Sequence, residues 1–326
     1  MTDTRRTSRI SRVLNVFGPF IGLLVVFGLF SLSAEVRPYL FTGANFKIIL
    51  MQTVIVAIGS LGMTMIIVSG GIDLSVGSTV ALTSVLGAIL LVKGFSAATA
   101  ILLTILAGGV IGLVNGTIIA GLRMMPFIVT LGMMGIARGL AKWLAGNVTV
   151  NSPPGFIDDL MRRVAPNSLL PLPPGVWITV GLASATALIM QHTVFGRYIF
   201  AIGSNEATAR LCGIRVQLHK VLIYTLAGLF FGTAGLMQLS RLTQGDPTVA
   251  IGLELDMIAA VVIGGASLTG GTGSILGSVI GALIMAVLRN CSTQMGWPNY
   301  MQEIIIGAVI VLAVGLDRLR QTTNRT

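Results

Sequence analysis

The chain has almost none of the side chains from which hydrolytic and metal sites are built. Histidine occurs twice, at His192 and His219, and cysteine twice, at Cys212 and Cys291. Neither pair has a metal-ligand spacing, and two cysteines make no disulfide framework. There is no G-x-x-x-x-G-K-[ST]: Gly270-Gly-Thr-Gly-Ser274 lacks the lysine that would reach a nucleotide phosphate. No H-E-x-x-H or G-x-S-x-G occurs either. Intramembrane hydrolysis and ATP binding by the chain itself are therefore not expected, and no cofactor is implied. Charge is scarce too, at 10% of residues, with eleven acidic against twenty-one basic side chains. A net charge of +10 raises nucleic acid as a partner. The basic residues cluster in short tails and loops, where they set membrane orientation instead.

What fills the chain is apolar. Hydrophobic residues make up 54% of it, and the mean hydropathy is +0.92. Near-continuous apolar stretches run from Val16 to Leu316, broken by short Gly-rich segments. About 20 residues of helix cross a bilayer core. On that measure the sequence predicts an all-α polytopic membrane protein with about ten spans, at 16–34, 48–68, 76–92, 97–120, 126–145, 176–191, 221–239, 253–264, 274–288 and 302–316. The sixth and eighth are short enough to be tilted, broken or partly buried. With both termini in the cytoplasm, twelve Lys and Arg fall on the inner side and seven on the outer, as the positive-inside rule prefers. Arg163 and Arg325 are among those counted. The domain reading is a basic cytoplasmic tail over 1–15, a transmembrane domain over 16–316 and a second cytoplasmic tail over 317–326. Arg5, Arg6, Arg9 and Arg12 make the first tail an uncleaved anchor flank rather than a signal peptide.

Two connections are long. The outer one, 146–175, holds Pro153-Pro154 and Pro173-Pro174 and predicts extended, turn-rich chain. The inner one, 192–220, holds a short amphipathic helix. Ser204 or Asn205 can cap it, Glu206 sits four residues before Arg210, and Gly213 offers a stop. Taken alone this could be a plain solvated connector.

Val68–Gly77 aligns with Val262–Gly271 at an offset of 194, and Leu82/Leu276, Ser84/Ser278 and Gly87/Gly281 continue the match. Transporters are often built from such duplications, although Gly-rich membrane segments also resemble one another by composition. Gly108, Gly112 and Gly116, and likewise Gly273, Gly277 and Gly281, recur every fourth residue and predict close helix packing, within one subunit or at a dimer interface.

The candidates for a path or gate are the Gly-rich breaks at Gly70-Gly71 and Gly264-Gly265 and the few polar residues expected at depth: Asp73 and Ser75, just after the first break, with Asn115 and Arg138. Each has a structural reading as well. Asp73 can cap the third span, and Asn115 can make an interhelical hydrogen bond. Arg138 can serve structure, Lys142 one turn later can snorkel, and Glu254 and Asp256 can cap the eighth span.

In combination these pieces resemble the permease subunits of bacterial ABC importers for monosaccharides, the ribose, xylose and galactose group. The residues that carry the resemblance, in order, are Gly70-Gly-Ile-Asp-Leu-Ser-Val-Gly-Ser78, Gly112-Leu-Val-Asn-Gly116, Pro126-Phe-Ile-Val-Thr-Leu-Gly132 and Arg138-Gly139. They continue through Gly203-Ser-Asn205, Ala209, Gly213-Ile214, Leu253-Glu-Leu-Asp256 and Val261-Val-Ile-Gly-Gly265. The likeness covers about residues 50–315. Thr208, Met125 and Met257 depart from the usual pattern without removing a charge or a glycine. The resemblance implies no covalent chemistry on this chain, inner-membrane placement among lipid and a second permease copy, identical or a close paralogue. It also implies a periplasmic sugar-binding protein, and a cytoplasmic ATPase docked on Gly203, Asn205, Glu206, Ala209, Arg210, Gly213 and Ile214. The scarcity of polar side chains at depth would then mean a path with little sugar affinity of its own. The alternative is a stand-alone ion-coupled secondary transporter using Asp73 or Arg138.

Overall fold

The computed structural model describes residues 4–162 and 171–323. Expectations for 1–3, for 163–170 (including Arg163) and for 324–326 (including Arg325) lie outside the described residues. Among the described residues, ten helices each overlap one of the ten apolar stretches. In chain order they are α1 Thr4–Ser31, α3 Gly43–Val68, α4 Val76–Val92, α5 Ala97–Gly121, α6 Pro126–Leu144, α7 Pro174–His192, α10 Val216–Leu242, α11 Leu253–Ile263, α12 Ile275–Gln294 and α13 Asn299–Thr323. Three short helices complete the set: α2 Arg37–Leu40, α8 Val194–Ser204 and α9 Glu206–Leu211. Six helices (α3, α5, α6, α7, α10 and α12) are long and apolar enough to cross a membrane. The first and last helices extend through segments read as tails, because no Gly or Pro interrupts 4–17 or 316–323.

The outer connection is irregular, as its prolines require. It contains a 3-10 turn at Asp158–Leu160 and a two-residue strand, β1 Val150–Asn151, paired antiparallel with β2 Gln244–Gly245. The inner connection holds two helices where one was expected. Thr193 ends α7 and caps α8 by accepting a hydrogen bond from the Gly196 amide.

Helix α3 is the axle. From Thr53 to Val68 every residue is buried. Around it pack α10, α12, α11 and α7, and α4 packs against α10, α6 and α5; α5, α6 and α7 turn large apolar side chains outward, among them Leu102, Val110, Phe127, Trp143 and Leu188. The glycine stripes serve packing inside the subunit. A Cβ on Gly112 would strike the Tyr224 carbonyl of α10, and one on Gly116 would come within 2.8 Å of the Val221 Cα. Gly277 and Gly281 do the same against Gly264, the residue that ends α11, and Ala260 within it. Such contacts bring backbones close where no hydrophobic effect separates helix from lipid.

The two repeat segments are helix–turn–helix units of the same design in a different register. Each first helix ends in a paired turn closed by a left-handed glycine, Gly70 at φ +85° and Gly265 at φ +91°. Gly70 and Gly71 donate to the Ile67 and Ile66 carbonyls; Gly265 and Ala266 donate to Val262 and Val261. These match at an offset of 195, not 194. The second connection is also longer, since α4 opens at Val76 and α12 only at Ile275. Glycine runs on both sides let the sequence slide by a residue, whereas φ fixes which glycine is needed.

Candidate functional site

The helices α3, α10, α11 and α12 share two ends, and each end carries a site. At one end, α9 projects from the body. Asn205 caps it, its Oδ1 accepting from the Thr208 amide at 2.9 Å, and Gly213 at φ +86° stops the chain beyond it. Six residues cannot hold a helix in water by themselves. Ala209 and Ile214 turn inward instead, onto Ile202 and Val216. Glu206 Oε1 accepts from Arg210 at 2.9 Å and Oε2 from Lys220 at 2.7 Å, tying α9 to α10. Burial pushes the Glu206 carboxyl up, but hydrogen bonding and charge from Lys220 and then Arg210 outweigh it and hold the group below its ordinary range. The bracket therefore stays charged through neutral pH.

Of the residues expected to meet an ATPase, Ala209 is buried and Ile214 half-buried, so these two support the helix rather than face outward. The exposed surface is Ala207, Thr208, Arg210 and above all Leu211, an apolar side chain 88% exposed. Leu211 was missed because it lies between the motif residues.

Behind α9, four glycines meet. A Cβ on Gly203 would collide with the Val68 carbonyl oxygen and lie 2.6 Å from the Gly271 amide nitrogen, which donates to that same carbonyl at 2.8 Å. A Cβ on Gly270 would come within 3.1 Å of both Gly203 and Gly70 Cα atoms. The segment leading to α9 is thus seated directly on the α3–α4 and α11–α12 turns.

Asp73 is buried inside the first of these turns. It does not cap α4: Ser75 holds the N-cap position, and Asp73 Oδ1 accepts from the Ser75 amide at 2.7 Å and its hydroxyl at 2.6 Å. The amide group of Asn115 donates to Ser75 Oγ at 3.1 Å, from α5, and the Leu74 amide donates to Thr130 Oγ1 at 3.2 Å, on α6. Gly71 abuts the Tyr224 hydroxyl. Asp73, Ser75 and Asn115 form one buried knot, and none of them lines the cavity. Arg138 lies apart from it, donating from Nη1 to the carbonyls of Pro247 at 2.9 Å and Val249 at 2.6 Å, and so anchors the 246–252 segment. Lys142 is exposed.

At the opposite end lies a cavity of about 350 Å³. Its wall includes Gln52 and Val56 of α3, Gln238 and Arg241 of α10, Asp256 of α11, and Met285 and Arg289 of α12. Asp256 does not cap α11 either. Gly252 is the N-cap, with no side-chain cap bond, and Asp256 Oδ2 accepts from Arg289 Nη2 at 2.6 Å. The cavity is deep. Gln52 lies about 14 Å along α3 from its first residue at 1.5 Å per residue. Helix α11 is only eleven residues long and begins at this level. Arg241 and Arg289 fall just beyond the expected spans 221–239 and 274–288, because hydropathy windows end helices at charges; α10 and α12 run on through them.

The chain's residues 45–314 match the family model described as branched-chain amino acid transport system / permease component. It belongs to that family. It is 40% identical over 301 residues to the ribose import permease protein RbsC of Escherichia coli strain K12, covering 92% of this chain and 93% of that one. It is 35% identical over 328 residues to the L-arabinose ABC transporter permease protein AraH of Azospirillum brasilense, covering 100% of this chain and 94% of the relative. The fructose import permease protein FruG of Bifidobacterium longum is 35% identical over 266 residues, 79% of this chain and 78% of its own. No solved structure matches the chain. Membership and the six apolar helices make this family member a multi-pass inner-membrane protein.

Proposed function

We propose that the chain is the membrane-spanning permease subunit of an ABC importer for a pentose or hexose. The observation that carries it is α9, a capped helix braced from behind and presenting Leu211 outward. A secondary transporter has no use for such a surface. The sugar comes from the relatives, whose names specify ribose, L-arabinose and fructose although the family description names amino acids.

In this reading the chain crosses the membrane ten times, the eleven-residue α11 completing its crossing with the irregular segment before it; both termini are cytoplasmic, and two copies, identical or closely related, form the path. A cytoplasmic ATPase seats on α9, and a periplasmic binding protein delivers sugar at the cavity end. Closure of the ATPases moves α9. Through Gly203 that movement reaches the α3–α4 and α11–α12 turns, and thereby the four helices whose far ends line the cavity. Packed backbones switch between arrangements rather than deform continuously. Asp73, Ser75 and Asn115 keep the first turn rigid during that movement, Gly70, Gly71, Gly264 and Gly265 shape the turns, and Arg138 holds the loop before α11. In this role they gate the path without contacting sugar. The permease itself performs no catalysis.

The test is purification from native membranes in mild detergent, followed by mass spectrometry. A P-loop ATPase is expected in equal amount with the permease and absent from Leu211→Glu, whose exposed side chain can change without disturbing the fold. An ATPase retained by Leu211→Glu, or a permease oligomer with no ATPase, contradicts the proposal.

A further inference from the structure

The cavity wall carries an unbalanced charge. Its charged side chains are Arg241 on α10, Asp256 on α11 and Arg289 on α12. Asp256 is taken: its Oδ2 accepts from Arg289 Nη2 at 2.6 Å. The Arg241 side chain has neither an ion pair nor a hydrogen bond among the described residues. Yet it stands close enough to Arg289 for the two cations to repel. The acids nearest to it in sequence are engaged elsewhere. Asp246 Oδ1 accepts from the Thr248 amide and hydroxyl, both at 2.7 Å, and Glu254 lies against Gly77 of α4. Residues 163–170, outside the described set, include no carboxylate. Arg241 stands in the last turn of α10, where a helix C-terminus favours a cation. That field does nothing for the repulsion from Arg289, which sits on another helix.

What the chamber lacks is one negative charge, and the rest of its wall narrows the carrier. Two oxygens in one plane match a guanidinium fork, so a carboxylate answers Arg241 better than a spherical halide. A dianion overshoots the single excess charge and meets Asp256 as well. A neutral solute leaves the charge unbalanced, and a zwitterion brings a further cation between two arginines. Gln238 and Asn299 add amide groups able to donate. Beside them lie Ile55, Val56 and Met285, an apolar patch suited to a short alkyl chain. The volume, about 350 Å³, admits an acid of a few carbons together with several waters at about 30 Å³ each.

We infer that this chamber binds one short-chain monocarboxylate from the solution at that end of the bundle, its carboxylate held by Arg241 with Arg289 beside it and its alkyl end on Ile55, Val56 and Met285. The bound acid joins α10 to α12 and so stabilises this arrangement of the chamber. The inference goes beyond the importer reading and does not depend on it: the acid is a ligand of the permease and not its cargo.

The experiment is equilibrium binding of radiolabelled acetate and propionate to the full-length permease purified into nanodiscs with whatever ATPase it carries. Ionic strength is held constant with chloride, empty nanodiscs give the background, and D-ribose and sulfate are the competitors. Propionate is expected to bind saturably, more tightly than acetate, and to raise the temperature of unfolding; neither competitor should displace it. Arg241→Gln should weaken binding more than tenfold, because a hydrogen bond to a charged group outweighs a neutral one. Arg241→Lys should recover only part of that loss, since an ammonium keeps the charge without the fork. Because losing Arg241 can also loosen α10, Ile251→Trp provides a second route. Ile251 lines the chamber and is 75% exposed, so a large ring there obstructs entry and leaves both arginines in place; it should abolish binding. No saturable binding of either acid overturns the site. Displacement by sulfate at equal ionic strength overturns it as well, since any anion then suffices, and so does propionate binding unchanged in Arg241→Gln and Ile251→Trp. Whether the same preparation retains an ATPase tests the importer reading separately, so either can fail alone.

Discussion

Gly203→Ala is expected to reduce ATP-coupled uptake by about tenfold or more and to lower the stability of the permease. Two effects compete. Gly203 lies in the last turn of α8, where alanine would ordinarily gain up to about 1 kcal/mol of helix stability. Against this, the added methyl occupies space held by the Val68 carbonyl and the Gly271 amide, which are backbone atoms and cannot turn aside as a side chain can. Overpacking costs about 1–3 kcal/mol, and more where the obstacle is rigid. The clash therefore wins. Relief requires α8 to lift from the two turns or the Gly271–Val68 hydrogen bond to open, and either breaks the route from α9 to α3 and α12. A bias of about 1.4 kcal/mol between transport states is already tenfold. Gly181 in α7 has open space around its Cα, so Gly181→Ala is the control and should retain uptake. Uptake and apparent melting temperature of both variants, measured in proteoliposomes and detergent, decide the matter. Equal behaviour would show that the four-glycine contact transmits nothing.

The second large effect is expected at the cavity. Arg289→Ala leaves the Asp256 carboxylate buried without its cation. Removing one partner of a buried pair costs about 3–5 kcal/mol. Arg289 is 39% exposed on its side chain, so solvent moderates the loss and the lower end, about 3 kcal/mol, is expected. Asp256→Asn with Arg289 intact should cost less, because the guanidinium can turn toward water. The double variant Asp256→Asn/Arg289→Ala should recover part of what Arg289→Ala alone loses. Thermal unfolding of the four proteins gives the coupling directly. Additive losses would mean that the pair contributes nothing beyond its two separate side chains.

The apolar pattern located the helices well, since α4 spans the expected 76–92 and α11 ends one residue from the expected boundary. The apolar residues stand on either side of Gly and Pro, and those breaks are local. The caps were less legible. Asn205 is one of the two caps the sequence offers, with Ser204, because its partner is three residues away. Asp73 and Asp256 read as caps because each precedes or opens a helix, yet Asp73 holds Ser75 two residues on and meets Asn115 from 42 positions downstream, and Asp256 pairs with Arg289 on another helix. The cavity was not legible at all. Gln52, Gln238, Asp256 and Arg289 are scattered over 238 positions, each alone in an apolar run, and only the crossing of α3, α10, α11 and α12 makes them one wall. Leu211 was equally hidden, since exposure rather than residue type marks it out.

The measurement that tests the central claim most directly is sugar uptake into proteoliposomes holding the permease and its ATPase, with the binding protein supplied outside and ATP inside. Uptake is predicted to require both ATP and the binding protein, to vanish with Leu211→Glu, and to be indifferent to ionophores that collapse proton and sodium gradients. Uptake by the permease alone that continues without ATP and stops when those gradients collapse would contradict the account, and would make the chain an ion-coupled transporter.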